Sequence, residues 1–286
     1  MESLKDIMPS LLERVQAARA KVERETPMQK QPSAEDLTVY DCPKCRDEGI
    51  IFDLERNVGY RCVCVERKKL QRIMKSSNMS EDALHKTFDN FVVDGADPRV
   101  AAAYELAREY SDGLVARIRK GQGLKGVPWF GLLGTSGSGK THLVTAAVAP
   151  LIEQGVHPLF FNWVQSFQEW FAYYSREDEA YMVEEIRQKI YNCDLLVVDD
   201  ICKESQKENW IREFYGIVDY RYRKQLPIVY TSEYFYELIG WLSEATAGRL
   251  FEKTKSSKGK KYLGKMLLAE GEDPLALNYR FKELLQ

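Results

Sequence analysis

The sequence predicts an α/β fold: a P-loop core with a parallel sheet flanked by helices, preceded by a small N-terminal zinc-binding domain. Three stretches carry that reading. Trp129 to Leu133 is a short apolar run that feeds directly into Gly134-Thr-Ser-Gly-Ser-Gly139-Lys140-Thr141. Asp194-Leu-Leu-Val-Val-Asp199-Asp200 is a second buried-strand pattern, with acidic side chains at its C-terminal end. Cys42-Pro-Lys-Cys45 and Cys62-Val-Cys64 gather four thiols ahead of both.

The first stretch is a complete G-x-x-x-x-G-K-[ST] pattern between a strand and a helix, where phosphate chemistry requires it. Its glycines let backbone N–H groups curl around phosphate oxygens. The binding residues are therefore expected from Gly134 through Thr135, Ser136, Gly137, Ser138 and Gly139 to Lys140, Thr141 and His142. Lys140 supplies a cation for the β- and γ-phosphates, Thr141 a hydroxyl for Mg²⁺, and the opening helix the positive end of its dipole. A nucleoside triphosphate, ATP with Mg²⁺, is the expected ligand.

The second stretch lies about 60 residues further on. In parallel α/β sheets ligands bind at the C-terminal strand ends, so Asp199 is placed to hold Mg²⁺ and Asp200 to orient or deprotonate an attacking water.

Composition sets the outer bounds. The chain has 286 residues, 44% of them hydrophobic and 29% charged, which suits a globular protein of one large or two ordinary domains. A formal net charge of −2 gives no global attraction to nucleic acid, so any such contact must come from a local patch. No apolar run approaches the roughly 20 residues of a bilayer span. The N-terminus lacks the apolar core of a signal peptide, so a cytoplasmic address is expected, with no membrane partner.

In chain order, residues 1–25 place Leu4, Ile7, Met8, Leu11, Leu12 and Val15 at helical spacing. Periodicity leaves open whether that stripe packs on its own protein or is offered to a partner. Residues 26–36 read as a linker, so 1–36 forms the first segment. Residues 37–66 form the four-cysteine domain. CxxC and CxC, separated by 16 residues, suit one closed tetrahedral zinc site of Cys42, Cys45, Cys62 and Cys64, with a hairpin between them turning near Asn57-Val58-Gly59. The alternative, redox thiols, lacks a thioredoxin-like βαβ setting. So small a domain cannot bury enough apolar surface to fold unaided, and metal would supply the folding energy. Cys193 and Cys202 stand apart as core or near-core residues.

Residues 67–86 read as a linking helix, and 87–286 as the large domain. A helix is expected up to about Arg119, then one from the phosphate turn to Glu153, a strand from His157, and two helical patterns over 163–191 broken near Ser175 to Asp178. The first pattern is dense in aromatics. Trp170 and Phe167 are expected in the core, although such stripes elsewhere stack on bases. Residues 208–224 form an amphipathic helix ending in Arg221, Arg223 and Lys224, and Pro227 to Thr231 a buried strand with Thr231, Ser232 and Glu233 at its end. Lys253, Lys255, Lys258, Lys260, Lys261 and Lys265 then crowd a stretch that reads as a loop, either solvated or touching nucleic-acid phosphates.

The order of these parts resembles the AAA+ ATPase core and, more specifically, helicase loaders of the DnaC/DnaI type. The resemblance rests on the cysteine-rich N-terminal domain, Thr87-Phe-Asp-Asn-Phe91, GTSGSGKT, LLVVDD and Gly248-Arg-Leu-Phe251. It implies that Lys140 and Thr141 are Walker A, Asp199 and Asp200 Walker B, and Thr231 and Ser232 part of sensor 1. It also implies that Arg249 belongs to the box holding an arginine finger for a neighbour's ATP, that Arg280 is the sensor 2 arginine, and that Phe88 and Asn90 lie near the adenine. Three residues depart from the pattern: Asp200 in place of a glutamate, Glu233 in place of a sensor asparagine, and Lys253 where a second box arginine could stand. They imply slow turnover. The resemblance further implies an ATPase acting in DNA replication and the primosome. Its partners would be the hexameric replicative helicase, gripped by the N-terminal region, single-stranded DNA, and further copies of itself. Two rivals remain: a transposition helper ATPase of the IstB type, and an adaptor that binds nucleotide without useful turnover.

Overall fold

The computed structural model describes residues 40–53, 58–65, 68, 76–79, 83, 85–174, 176 and 179–282. The amphipathic helix and linker expected over 1–36, most of the linking helix, and the break at Ser175, Glu177 and Asp178 lie outside the described residues. The chain divides into two compact units, Met1–Cys64 and Val65–Gln286.

In the first unit β1 (Ile50–Asp53) pairs antiparallel with β2 (Val58–Arg61), from Ile50 opposite Arg61 to Asp53 opposite Val58. Val58 and Gly59 are thus strand residues, not the turn they were expected to form. They are the pairing partners of Asp53 and Phe52, which leaves 54–57 for the reversal. Among the described residues of this unit the four cysteines are the only buried side chains, and Phe52, Tyr60 and Val63 are exposed. A hairpin with no apolar interior has no hydrophobic term to hold it.

The second unit is built on a five-stranded sheet. In chain order its elements are α1 (Pro98–Arg119), β3 (Phe130–Gly134), α2 (Lys140–Glu153), β4 (Pro158–Asn162), α3 (Trp163–Tyr173), α4 (Ala180–Asn192) and β5 (Leu195–Asp199). They continue with α5 (Glu208–Lys224), β6 (Ile228–Ser232), α6 (Glu237–Leu242), α7 (Glu244–Lys253), β7 (Leu263–Met266) and α8 (Tyr279–Lys282). The strand order is β4-β5-β6-β3-β7, and every neighbouring pair is parallel. Helices cover both faces, which is why the strands read as continuous apolar runs. Leu195 and Val197 join α1 and α2 in one core with Val100, Ala107, Leu143 and Val148. Leu196 and Val198 face the other, with Trp163, Phe167, Trp170, Trp210 and Phe214.

Phe167 and Trp170 are fully buried, and their rings stack 6.0 Å apart. The α3 aromatics at those positions are core and offer no platform to a base.

The strand β7 corrects the reading of the lysine-rich stretch as a loop. Residues 263–266 form the edge of the sheet beside β3, and a lone bridge between Lys255 and Lys261 closes a tight reversal before it. Lys265 points outward from that edge strand, its Nζ 3.8 Å from the centre of the Phe235 ring. The charge that hides the strand from a periodicity reading is what sheet edges commonly carry. No helix among the described residues is long and apolar enough to cross a membrane.

Candidate functional site

The site grows from the loop between β3 and α2. Gly137 and Gly139 have φ of +73° and +89°, a region that side-chain-bearing residues rarely adopt. Space forbids a side chain as well. A Cβ on Gly137 would stand 2.0 Å from Asn278 Oδ1, and one on Gly139 2.7 Å from the Phe91 ring. Gly139 caps α2 without any side-chain acceptor, so the first N–H groups of the helix are left for an anion. Ser138 Oγ donates to Thr135 O at 2.7 Å and tightens the turn. Lys140 is only 5% exposed, and its Nζ donates to the same carbonyl at 2.9 Å. Burial lowers its pKa, against the pull of Asp200, Glu233 and Asp199. Thr135 Oγ1 is buried with no partner among the described residues.

At the end of β5, Thr141 Oγ1 meets Asp199 Oδ1 at 3.0 Å and Oδ2 at 3.1 Å. Thr231, at the end of β6, donates to Asp199 Oδ1 at 2.6 Å and accepts from the Asp200 N–H at 2.8 Å. Burial, then the charge of Asp200, raises the Asp199 pKa, and the two threonine hydroxyls oppose that. A divalent cation would offset the same cost, and a hydroxyl beside a carboxylate is a donor set that suits Mg²⁺. Ser232 donates to Ile201 O at 2.8 Å and accepts from the Tyr234 N–H at 3.1 Å. Both β6 hydroxyls therefore brace the loop after β5. That loop is strained: Asp200, Cys202 and Glu204 all have positive φ.

Lys203, which the sequence reading overlooked, sits in this loop. Its Nζ is 2.9 Å from Asp200 Oδ2 and 3.3 Å from Glu233 Oε1. Nothing periodic in ICKES marks it.

Two cavities share Gly139, His142 and Tyr279. One, of about 530 Å³, is lined by Lys140, Thr141, Asp199, Asp200, Glu233 and Arg280, among others. The other, of about 560 Å³, lies beyond the turn against Asn90, Phe91, Val92, Val100 and Ser138. Asn90 accepts from the Thr87 N–H at 2.9 Å and donates to His85 O, which fixes the entry to this second cavity. Phe91 takes the lining place expected of Phe88. The Phe88 ring instead packs edge-on against Tyr104, with centroids 5.5 Å apart. His142 donates from Nε2 to Thr87 O at 2.7 Å and meets Phe91 edge-on. Arg249 lines neither cavity. Its guanidinium is 3.3 Å from Asp219 and lies over the rings of Tyr215 and Tyr222.

In the first unit, Cys42, Cys45, Cys62 and Cys64 offer four buried sulfurs within 4.8 Å of one another. The Sγ–Sγ separations are 3.7 Å for Cys42 and Cys62 and 3.3 Å for Cys45 and Cys64. A tetrahedron with Zn–S bonds of about 2.3 Å has edges of about 3.8 Å, so the thiolates fit zinc with small adjustments. The Gly49 N–H donates to Cys45 Sγ, the kind of outer support that ligating sulfurs receive.

With this geometry in view, comparisons with known proteins follow the same lines. The phage-like element PBSX protein XkdC of Bacillus subtilis is 26% identical over 231 residues, spanning 77% of this chain and 82% of that protein. The chromosomal replication initiator protein DnaA of Aliarcobacter butzleri is 28% identical over 174 residues, spanning 59% of this chain and 36% of its own. Among solved structures, the DnaC helicase loader covers 65% of this chain and 99% of its own with a TM-score of 0.51 and 18% identity, a likeness of fold. The parallel sheet with its phosphate turn is the AAA+ P-loop fold. Residues 83–251 match the bacterial DnaA ATPase domain, which takes in the phosphate turn, the aspartate pair and both β6 hydroxyls: the chain belongs to that AAA+ family.

Proposed function

We propose that this protein is an ATP-dependent loader of the hexameric replicative DNA helicase. The observation that carries the nucleotide half of this reading is the cluster of Lys140, Thr141 and Asp199 at one cavity mouth, joined by Thr231. Nucleotide phosphates would lie against the N–H groups of residues 136–141, with Arg280 on the outer wall and the base beside Phe91 and Asn90. Thr141 and Asp199 would hold Mg²⁺, which on binding supplies positive charge to the β- and γ-oxygens. Thr231 keeps Asp199 in place. Asp200 has one oxygen engaged by Lys203, so its other oxygen is the one left to orient a water. That geometry favours slow turnover, with ATP acting as a switch.

Arg249 would complete a neighbour's site, which requires it to leave Asp219 and its two tyrosines. The loader role is supported by the combination of a replication-type AAA+ core with a cysteine-bound N-terminal unit, the arrangement of the DnaC/DnaI loaders. On this reading the N-terminal region, residues 1–66, grips the helicase, while the core senses ATP and single-stranded DNA.

The test is co-purification with candidate hexameric helicases, with ATP and with ADP, beside phosphate release with and without single-stranded DNA. The expected outcome is a helicase complex that forms with ATP and weakens with ADP, and turnover that Lys140→Ala abolishes. Capture of a transposase instead would identify a helper of the IstB type. Phosphate release no greater than that of Lys140→Ala under every condition would leave only a nucleotide-binding adaptor.

A further inference from the structure

At the end of the sheet opposite the phosphate turn lies a cleft of about 840 Å³. The C-terminal half of α1, the loop over residues 121–128 and the reversal over residues 253–262 line it. Six cations line it: Arg117, Lys120, Lys253, Lys255, Lys258 and Lys260. One acidic residue, Glu109, lines it too, and it is ion-paired with Lys260. In a chain of net charge −2 this is a strong local excess.

Three of the cations are already engaged. Arg117 donates to Gly123 O at 2.7 Å, Lys253 lies 4.5 Å from the centre of the Tyr222 ring, and Lys260 holds Glu109. Lys120, Lys255 and Lys258 are exposed and have no acidic partner among the described residues. They are not on a floppy segment. The Tyr262 N–H donates to Thr254 O at 2.8 Å and the Ser256 N–H to Lys260 O at 2.7 Å, while Gly259 supplies the positive φ of the reversal. Lys255 and Lys258 stand three residues apart in that reversal, and like charges so near in the chain repel one another until an anion lies between them.

We propose that this cleft binds the phosphodiester backbone of nucleic acid. Its wall chemistry favours that partner over an acidic protein. Apart from the paired Glu109, the polar surface is made of five ammonium groups, the Arg117 guanidinium, the amides of Gln122 and Gln225 and the hydroxyls of Ser256 and Ser257, all of which can donate to phosphate oxygens. The apolar groups beneath, Tyr110, Leu114, Val127 and Trp129, are buried and give a protein partner no anchor. The cleft is also tied to the nucleotide site through one strand. The Trp129 N–H donates to Lys253 O at 2.8 Å and the Gly131 N–H to Tyr262 O at 3.0 Å, so β3 starts at the cleft and ends at the phosphate turn. Five residues of strand separate the two, about 16 Å, so both can be filled at once. This inference stands on the cleft alone and holds whether or not the helicase reading does.

The experiment is fluorescence anisotropy of the full chain with labelled oligothymidylate and with a labelled duplex, across a salt series. A Lys120→Ala/Lys255→Ala/Lys258→Ala variant is expected to bind at least about tenfold more weakly, with a salt slope smaller by about two on oligothymidylate or about three on the duplex, the share of three lost phosphate contacts. The corresponding triple arginine variant should bind like wild type, and both should bind a fluorescent ATP analogue unchanged. The two probes distinguish strand states: preference for either one supports the proposal. Unchanged affinity and slope in the alanine variant overturn it. So does failure of the arginine variant, because recognition would then not be by charge. Binding of polyglutamate with no binding of either nucleic acid would overturn it in favour of an acidic protein partner.

Discussion

A triphosphate entering the 530 Å³ cavity meets Asp199, Asp200 and Glu233, three carboxylates that would each repel it. Lys140 answers part of that charge, Mg²⁺ would answer more, and Lys203 deals with the remainder from behind. Lys203 is partly buried, which works against its charge, but its bonds to Asp200 and Glu233 outweigh the burial and its pKa is raised. It therefore stays cationic at neutral pH and ties down two acids that face the γ-phosphate position. If that is its part, Lys203→Met should weaken MgATP affinity by roughly fivefold, the scale of a partly exposed ion pair. Adding Glu233→Gln should restore part of the loss, because one of the two acids left unpaired is then gone while Asp200 remains. Titration with a fluorescent ATP analogue reads both steps. Lack of rescue would mean that Lys203 contacts the phosphate itself, and no loss at all would mean that the pair is a surface incident. This residue was not legible in the sequence, because the loop that carries it has no period. The phosphate turn was legible, because its glycines, lysine and threonine are consecutive and each has a separate physical reason to be there.

At the scale of elements, one buried guanidinium holds a corner of the sheet. Arg221 looks from the sequence like one of three basic residues finishing α5, yet it is fully buried while Arg223 and Lys224 are exposed. It donates to Ile190 O at 3.0 Å, to Cys193 O at 3.2 Å and to Pro227 O at 2.8 Å. These are the carbonyls at the end of α4, before β5 and before β6, so a single side chain satisfies the acceptors where three connections meet. Burial lowers its pKa, with Cys193 working the other way. Arg221→Met should cost about 2 to 4 kcal/mol, since a carbonyl left without a donor costs about 1 to 3 kcal/mol while the removed charge returns some desolvation. The Cys193 carbonyl loses its donor, and those of Ile190 and Pro227 keep only the long bonds from Cys193 Sγ and the Leu196 N–H. Arg221→Lys should recover little of that cost, for want of the planar fork. Urea unfolding followed by tryptophan fluorescence reads this cleanly, because all five tryptophans lie in the second unit. Helical periodicity places α5 correctly but says nothing of which basic residue faces inward. The same limit hid β7: Leu263-Gly-Lys-Met266 is short, lysine-bearing and preceded by a charge run, and only its parallel register with β3 makes it a strand. The other four strands were legible because burial on both faces leaves them unmistakably apolar.

For the whole molecule, the two units rest on different sources of stability. The second buries two extensive cores on either side of its sheet. The first, in its described residues, buries four sulfurs and nothing else, so a metal held by those sulfurs is what we expect to stabilise its hairpin. The cysteine spacing made the ligand set legible in advance. That so small a domain buries too little apolar surface to fold unaided was legible from its size as well, and the exposure of Ile50, Ile51, Phe52 and Tyr60 agrees with it. The consequence is testable on the intact chain. A strong chelator, or Cys45→Ser, should release zinc and abolish the amide-exchange protection of the β1–β2 hairpin. The tryptophan-detected urea midpoint of the second unit should stay where it is, since none of its core residues belongs to the first. A matching fall in that midpoint would mean that the units stabilise each other. Retained hairpin protection after complete metal removal would mean that the cysteines hold the fold without an ion, and the zinc assignment would have to be withdrawn.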